Sequence, residues 1–150
     1  MKKLAIVVLI VLTACHRKVS VTSAPTATVD GNAGAATPRE AVQKFMATGK
    51  AQDLQAMSEI WGSEAGPARA NMDKEVLEMR LIYMMRCLRH DSYSILGETT
   101  LAGGDKQFQV QVKRGTLAPT TSFTTTPGPK GRWFLKQFEP EPLNTICTSK

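Results

Sequence analysis

Residues 107–113 read Gln-Phe-Gln-Val-Gln-Val-Lys, with apolar and polar side chains in strict alternation. Successive side chains of a strand point to opposite faces of a sheet, so this pattern predicts a half-buried strand with Phe108, Val110 and Val112 on its apolar face. Segments with the periodicity of α-helices precede these residues, and segments with strand patterns lie on both sides of them. The sequence therefore predicts an α+β fold in which N-terminal helices pack on an antiparallel sheet.

Three further strands are predicted around residues 107–113. The first covers about 93–101 and ends at a Gly-Gly-Asp turn. Another lies within 117–126, where threonines favour a sheet and Pro119 suggests an edge or a bulge. The last follows a turn rich in Pro and Gly and contains Trp133, Phe134, Leu135 and Phe138. These four segments predict a four-stranded antiparallel meander.

Three helices are predicted before the strands. Thr37-Pro38-Arg39-Glu40 places Thr at an N-cap, Pro at the first helical position and Glu three residues after the cap, which is a strong helix start. The apolar stripe of this helix stops near Gly49. A second helix is predicted over about 51–61, and the third and longest runs from about 73 to 89.

The first residues of the chain have the pattern of an export signal. Lys2 and Lys3 precede an apolar run at 4–12, and small residues follow it before Cys15. This order is typical of a secretory signal peptide, and the run is too short for a spanning helix of about 20 residues. Residues 1–14 are therefore predicted to be a signal peptide.

The four residues Leu12-Thr13-Ala14-Cys15 resemble the lipobox of bacterial lipoproteins. In that family the cysteine sulfur receives a diacylglycerol and the chain is cleaved before it. The resemblance implies that Cys15 is lipidated and anchors the protein to a bacterial membrane at its periplasmic face. Because His16 rather than Asp follows the cysteine, it also implies the outer membrane.

Residues 15–37 are predicted to form the lipidated cysteine and a flexible tether. Between 16 and 37, 14 of 22 residues are Ala, Thr, Ser, Gly or Pro, and none is aromatic. Such a segment cannot bury enough apolar surface to offset the entropy of ordering, and it would span about 25 Å on average. The remaining residues, 38–150, are predicted to form one α+β domain with a C-terminal tail.

The cysteine count agrees with export. The chain has three cysteines, and if Cys15 carries lipid, Cys87 and Cys147 remain. An exported pair is most simply a disulfide, because that compartment keeps thiols oxidised. Two buried free thiols remain the alternative, since the sequence does not give the distance between the two Cα atoms.

The charge balance is mildly basic. The chain has 19 Lys and Arg against 13 Asp and Glu, and loss of Lys2 and Lys3 with the signal peptide leaves a net charge of +4. A nucleic-acid binder has a denser basic stripe with interleaved aromatic residues, so no nucleic-acid partner is expected. The positive balance adds some attraction to anionic lipid head groups.

No familiar catalytic or metal-binding motif is present, so neither a metal nor a cofactor is expected. His90 is the one histidine of the predicted domain, and with Asp91 it is a weak candidate for an acid–base pair. The structural alternative is that His90 ends the third helix, where a ring near the C-terminal carbonyls is favourable.

Arg80 breaks the pattern of the third helix. A helical wheel places it in the middle of an apolar arc, with Asp73 seven residues earlier on nearly the same bearing. The arc consists of Val76, Leu77, Leu81, Met84, Cys87 and Leu88. Because a buried guanidinium is costly unless paired, Arg80 is expected to pair with Asp73, to reach an edge, or to line a cavity that takes an anionic ligand. Arg80 and Tyr83 are therefore candidate ligand-binding residues.

Three short stretches carry a second resemblance. They are 37–45, which opens the first helix, 49–54, which contains Gly and Asp between helices, and Gly131-Arg132-Trp133 before the last strand. They resemble small bacterial lipoproteins with the nuclear-transport-factor-like, or cystatin-like, cone fold. Over about 38–139 this resemblance implies helices on a curved, cone-like sheet. It implies no single activity, because cone-fold domains include isomerases, dehydratases and many domains without an assigned function.

The expected function is that of a membrane-tethered periplasmic lipoprotein whose domain is a non-catalytic ligand-binding, protein-binding or structural module. Its expected partners are the membrane, through the lipid anchor, and a periplasmic protein or a small anionic ligand. The alternative is a small cone-fold enzyme of the isomerase or dehydratase kind. An enzyme would need an open cavity with polar groups within hydrogen-bond reach of one another.

Overall fold

The structure, a computed structural model, describes residues 33–149. Its N-terminal half contains the helices α1 (Pro38–Ala51), α2 (Leu54–Ile60), α3 (Ala68–Asn71) and α4 (Lys74–Cys87), with a small hairpin of β1 (Gly62–Ser63) and β2 (Gly66–Pro67) after α2. The C-terminal half contains β3 (Ser92–Thr100), β4 (Lys106–Lys113), β5 (Thr120–Pro127), β6 (Trp133–Phe138) and the short helix α5 (Asn144–Thr148). The fold is α+β, as the sequence predicts.

The four long strands form one antiparallel sheet in the order β3-β4-β5-β6. The predicted alternation in β4 is confirmed, because Phe108, Val110 and Val112 are fully buried. Pro119 does not mark an edge strand, since β5 lies between β4 and β6. This proline precedes the strand and uses only its carbonyl, which accepts the N–H of Val112 at 2.9 Å. It therefore needs no N–H for the ladder.

The sheet does not close into a barrel. Its register shifts twice, at Leu96 in β3 and at Lys136 in β6, each an extra residue between two residues that pair with successive residues of the neighbouring strand. A bulge bends its strand and increases the local twist. The two bulges are consistent with the predicted curved meander.

Helix α1 begins at the predicted cap and packs on the sheet. The Thr37 hydroxyl oxygen accepts the N–H of Glu40 at 3.1 Å, and the Glu40 carboxylate accepts the N–H of Ala36 at 2.9 Å. One turn further along, Phe45 lies edge-on to Phe123, with ring centroids 6.4 Å apart. The cap thus fixes where the helix starts, and Phe45 fixes which face it buries.

The domain begins earlier than predicted, because residues 33–35 are packed on the domain rather than part of a free tether. Ala33 and Ala35 are buried. Ala35 exchanges backbone hydrogen bonds of 2.8 and 2.9 Å with Trp133, and the Arg132 guanidinium donates to the carbonyls of Ala33 and Gly34. The small side chains let this segment pair with the exposed edge of β6. The predicted signal peptide and Cys15 lie outside the described residues.

The helix boundaries differ slightly from the prediction. Helix α2 starts at Leu54 because Asp53 caps it, with its carboxylate accepting the N–H of Ala56 at 3.0 Å. Helix α4 ends at Cys87, two residues before the predicted end. The hairpin β1–β2 and helix α3, which occupy residues 62–71, were not predicted.

Two close contacts hold the C-terminal end of α4. At Gly49 in α1, an added Cβ would lie 2.9 Å from the Cβ of Leu88, so glycine permits the close approach of these helices. On the other side, Cys87 forms a disulfide with Cys147 in α5, with the sulfurs 2.16 Å and the Cα atoms 4.0 Å apart. The predicted cysteine pairing is thus confirmed, and it ties the C-terminal segment to α4.

Replacing both Cys87 and Cys147 with Ala should lower the free energy of unfolding by up to about 4 kcal/mol, because the bridge restricts the unfolded chain across a long loop. Urea denaturation of the oxidised wild type and the double variant measures this difference. Equal unfolding midpoints, or two thiols open to alkylation in exported wild-type protein, would show that the disulfide does not form.

Candidate functional site

A groove lies between α4 and the C-terminal end of β6. Its volume is about 510 Å³, within the range of about 300–1,000 Å³ that is typical of small-molecule sites. Nine side chains line it: Trp61, Met79, Arg80, Tyr83, Met84, Lys136, Gln137, Phe138 and Pro140. Most of them are apolar or aromatic, so the groove is suited to an apolar molecule.

Two aromatic residues of the groove are fixed by neighbouring structure. Phe138 stacks on Phe123, with ring centroids 5.5 Å apart and planes inclined by 18°. Trp61, which follows α2, donates its indole N–H to the carbonyl of Lys136 at 3.3 Å. The β6 side of the groove is therefore held by the aromatic core and by this hydrogen bond.

Helix α4 provides the opposite wall. The wall consists of two adjacent pairs of residues, Met79–Arg80 and Tyr83–Met84. The two pairs lie about one helical turn apart, so their side chains share one face of α4. Met84 is buried, whereas Met79 and Tyr83 are exposed at the rim. The wall thus combines an apolar base with a rim that is accessible from solvent.

Arg80 is exposed and lines the groove, so of the three expected alternatives the structure shows a position at the edge of the apolar arc beside a cavity. Leu77, Leu81 and Met84 are buried as predicted, but Val76 on the same arc is exposed. The reason is that Arg80 lies at the border of the buried arc, beside the open groove, where no element covers α4. Its charge therefore stays accessible to water.

The proposed ion pair between Arg80 and Asp73 is absent. Asp73 is instead the N-cap of α4, and its carboxylate accepts the N–H groups of Glu75 at 3.0 Å and Val76 at 3.2 Å. Within residues 33–149, Arg80 has neither a hydrogen bond nor an ion pair. Its guanidinium is available to a ligand.

Lys136, the second cation of the groove, is already neutralised. Its ammonium lies 2.5 Å from a carboxylate oxygen of Glu64 and 3.0 Å from one of Asp105. Hydrogen bonds to these two carboxylates raise the pKa of Lys136, and the bond from Lys136 lowers the pKa of Glu64. Among the described residues that line the groove, Arg80 is thus the one cation without a carboxylate partner.

The two predicted ligand-binding residues, Arg80 and Tyr83, lie at the same groove. Their separation of three positions on α4 places them on neighbouring turns of one face. Tyr83 is half-exposed, so its side chain is accessible at the rim.

His90 and Asp91 lie away from the groove and do not pair with each other. The buried His90 ring has its Nδ1 2.6 Å from the carbonyl oxygen of Leu88 and lies edge-on to Tyr93. Because a carbonyl can only accept, Nδ1 carries the proton. The Asp91 carboxylate accepts the N–H of Gly115 at 2.8 Å. Both residues form hydrogen bonds that hold the loop after α4, in agreement with the structural alternative for His90.

Several residues of the groove were missed by the sequence analysis. Phe138 was placed correctly on β6, whereas Trp61 was predicted on the second helix and is the residue that follows α2. Periodicity does not show that the ends of these two elements meet. Lys136 is the bulged residue between Leu135 and Gln137, which pair with successive residues of β5. The sequence signals only that aromatic residues end both elements, and this is as typical of a core as of a site.

In the described part of the chain, no group of His, Cys, Asp and Glu side chains converges to hold a metal ion. No helix within residues 33–149 combines the length and apolar composition needed to cross a bilayer. Comparisons of the chain with protein-family models, curated proteins and solved structures find no match.

Proposed function

We propose that this chain is a membrane-anchored lipoprotein facing the periplasm, and that its domain binds a small apolar molecule with an anionic group in the groove between α4 and β6. The observation that carries the ligand proposal is the unpaired, accessible guanidinium of Arg80 beside apolar walls. The anchor proposal rests on the pattern of residues 1–15.

The apolar walls and Arg80 have different tasks. Burial of hydrocarbon against Trp61, Met84 and Phe138 provides affinity, at about 25 cal/mol for each Å² removed from water. A carboxylate or phosphate of the ligand then pairs with the planar guanidinium, which can donate two parallel hydrogen bonds. Since Arg80 is exposed, this pair adds only about 1 kcal/mol and serves mainly to select anionic ligands.

The arrangement favours binding over catalysis. An acid–base enzyme needs titratable groups within reach of each other and of the substrate. Lys136 is held by Glu64 and Asp105 at the groove, and both His90 and Asp91 lie elsewhere. The groove therefore supports the non-catalytic proposal better than a small cone-fold isomerase or dehydratase.

Replacing Cys15 with Ser should abolish incorporation of labelled palmitate, because the thiol that would receive the lipid is removed. Metabolic labelling followed by membrane fractionation measures this. The matched control is the variant with Ala at both Cys87 and Cys147, which should still be labelled. Labelling of the Cys15→Ser protein would show that the anchor proposal is wrong.

Replacing Arg80 with Met should weaken binding of decanoate by about fivefold, the equivalent of about 1 kcal/mol. Binding of neutral decanol should not change, because the apolar walls remain. Isothermal titration calorimetry measures both affinities, and the thermal midpoint should stay the same since Arg80 has no partner within the described structure.

Arg86→Met is the matched control, because Arg86 is also exposed on α4 but does not line the groove. This variant should bind decanoate as the wild type does. If both variants weaken decanoate binding equally, or if the wild type binds neither compound, the groove is not the proposed site.

A further inference from the structure

We propose that the outward face of α4 docks on the bilayer through anionic phospholipids. We define this face as the apolar side chains Val76, Met79, Ile82 and Tyr83 together with the basic side chains Arg80 and Arg86 of α4 and Arg89 just after it. Met79, Arg80 and Tyr83 also lie at the rim of the groove. The inference goes beyond ligand binding in the groove, and it rests on the lipid anchor of the proposed function.

The first observation is the clustering of exposed apolar side chains. Among residues 33–149, five large apolar side chains are exposed, and four of them lie on α4. Their exposed fractions are 36% for Val76, 65% for Met79, 43% for Ile82 and 51% for Tyr83. The fifth, Leu96 in β3, is 59% exposed and stands apart. Scattered apolar residues need no explanation, but a cluster on one helix marks an interaction surface.

The second observation is the charge around this cluster. Residues 79–89 contain three arginines, at 80, 86 and 89, and no acidic residue. All three are exposed, and within the described chain none forms an ion pair. On the first half of α4, Lys74 lies 3.9 Å from Glu78 and offsets its charge, whereas the exposed Glu75 has no ion-pair partner among the described residues. Three arginines against this one carboxylate leave the accessible charge around the apolar cluster positive.

This combination matches an anionic lipid surface. Interfacial helices place apolar side chains at the boundary between head groups and acyl chains, and flank them with basic residues. Arginine can bury its aliphatic stem there while the guanidinium contacts phosphate. Tyr83 is suited to the same boundary, because its ring is apolar and its hydroxyl is polar.

The anchor would bring this face within reach of the bilayer. Cys15 and Ala33, the first described residue, are separated by 17 residues. A tether of this length, as the sequence predicts, would average about 23 Å, with a fully extended length of about 60 Å. Either side of the domain can therefore reach the surface, and tethering gives even a weak contact a high effective concentration.

A second copy of the chain fits the face less well. Helix α4 has 14 residues and is thus about 21 Å long, so a single-helix patch falls short of the roughly 800 Å² per partner of a stable interface. A two-fold dimer through this face would also bring its unpaired arginines together.

The test places a tryptophan at Ile82, which lies on the outward face but does not line the groove. Lipidated, full-length Ile82→Trp protein is reconstituted into phosphatidylcholine vesicles with brominated acyl chains, with or without phosphatidylglycerol. The matched control is Leu96→Trp, and the wild type corrects for Trp61 and Trp133. We expect quenching of the added tryptophan at position 82 only with phosphatidylglycerol, reversed by salt, and no quenching at position 96.

Replacing both Arg86 and Arg89 with Gln in the Ile82→Trp protein should remove the phosphatidylglycerol-dependent quenching, while decanoate binding stays unchanged. Equal quenching at positions 82 and 96, or quenching at neither, would overturn the docking proposal. So would a blue shift of the position 82 emission that depends on protein concentration and needs no lipid, since that indicates a protein partner.

Vesicle flotation separates the two proposals. A wild-type protein that floats with pure phosphatidylcholine is held by its anchor. One that floats only with phosphatidylglycerol contradicts the anchor but supports the docking face. One that floats with neither contradicts both.

Discussion

The contact between Phe45 and the aromatic pair Phe123 and Phe138 is the interaction on which the rest of the structure depends. Phe45 places α1 across β5 and β6, with ring centroids 6.4 and 6.2 Å from the two partners. These rings are large enough to dominate the energetics of so small a core. Once α1 is fixed on the sheet, Gly49 admits Leu88 at close range and so sets the position of the end of α4.

The groove follows from the way α4 is held. The C-terminal end of α4 is tied on one side by the contact with Gly49 and on the other by the Cys87–Cys147 disulfide. Met79, Arg80 and Tyr83, by contrast, stay exposed beside the end of β6. The chain runs from Phe138 through Pro140 to Cys147, so the disulfide links both walls of the groove covalently. The same geometry leaves the adjoining side of α4 facing outward with apolar and basic side chains, and Met79, Arg80 and Tyr83 lie at the border between the two surfaces. One helix thereby serves two surfaces, the groove and the proposed membrane contact.

The fold was largely predictable from local sequence, whereas the site was predictable only in part, at Arg80 and Tyr83. Alternation in β4 and the Thr37 cap are encoded within a few residues, and the pairing of Cys87 with Cys147 followed once Cys15 was assigned to lipid. The packing of residues 33–35 was missed because its cause is the free edge of β6, a tertiary feature that composition does not report. A helical wheel assumes that another element covers the helix along its whole length, and it therefore placed Arg80 on the buried arc. Beside the groove, no described element covers Arg80. Trp61, Lys136 and Phe138 meet only after two elements distant in sequence have packed.

The most direct test of the ligand site is methyl NMR of the methionines during titration with decanoate. Met79 and Met84 line the groove, while Met46 and Met57 are fully buried in the core and provide internal controls. A ligand in the groove should shift the methyl signals of Met79 and Met84, saturate, and leave those of Met46 and Met57 in place. Saturating shifts that spare Met79 and Met84, or no shifts at all, would contradict a ligand site between α4 and β6.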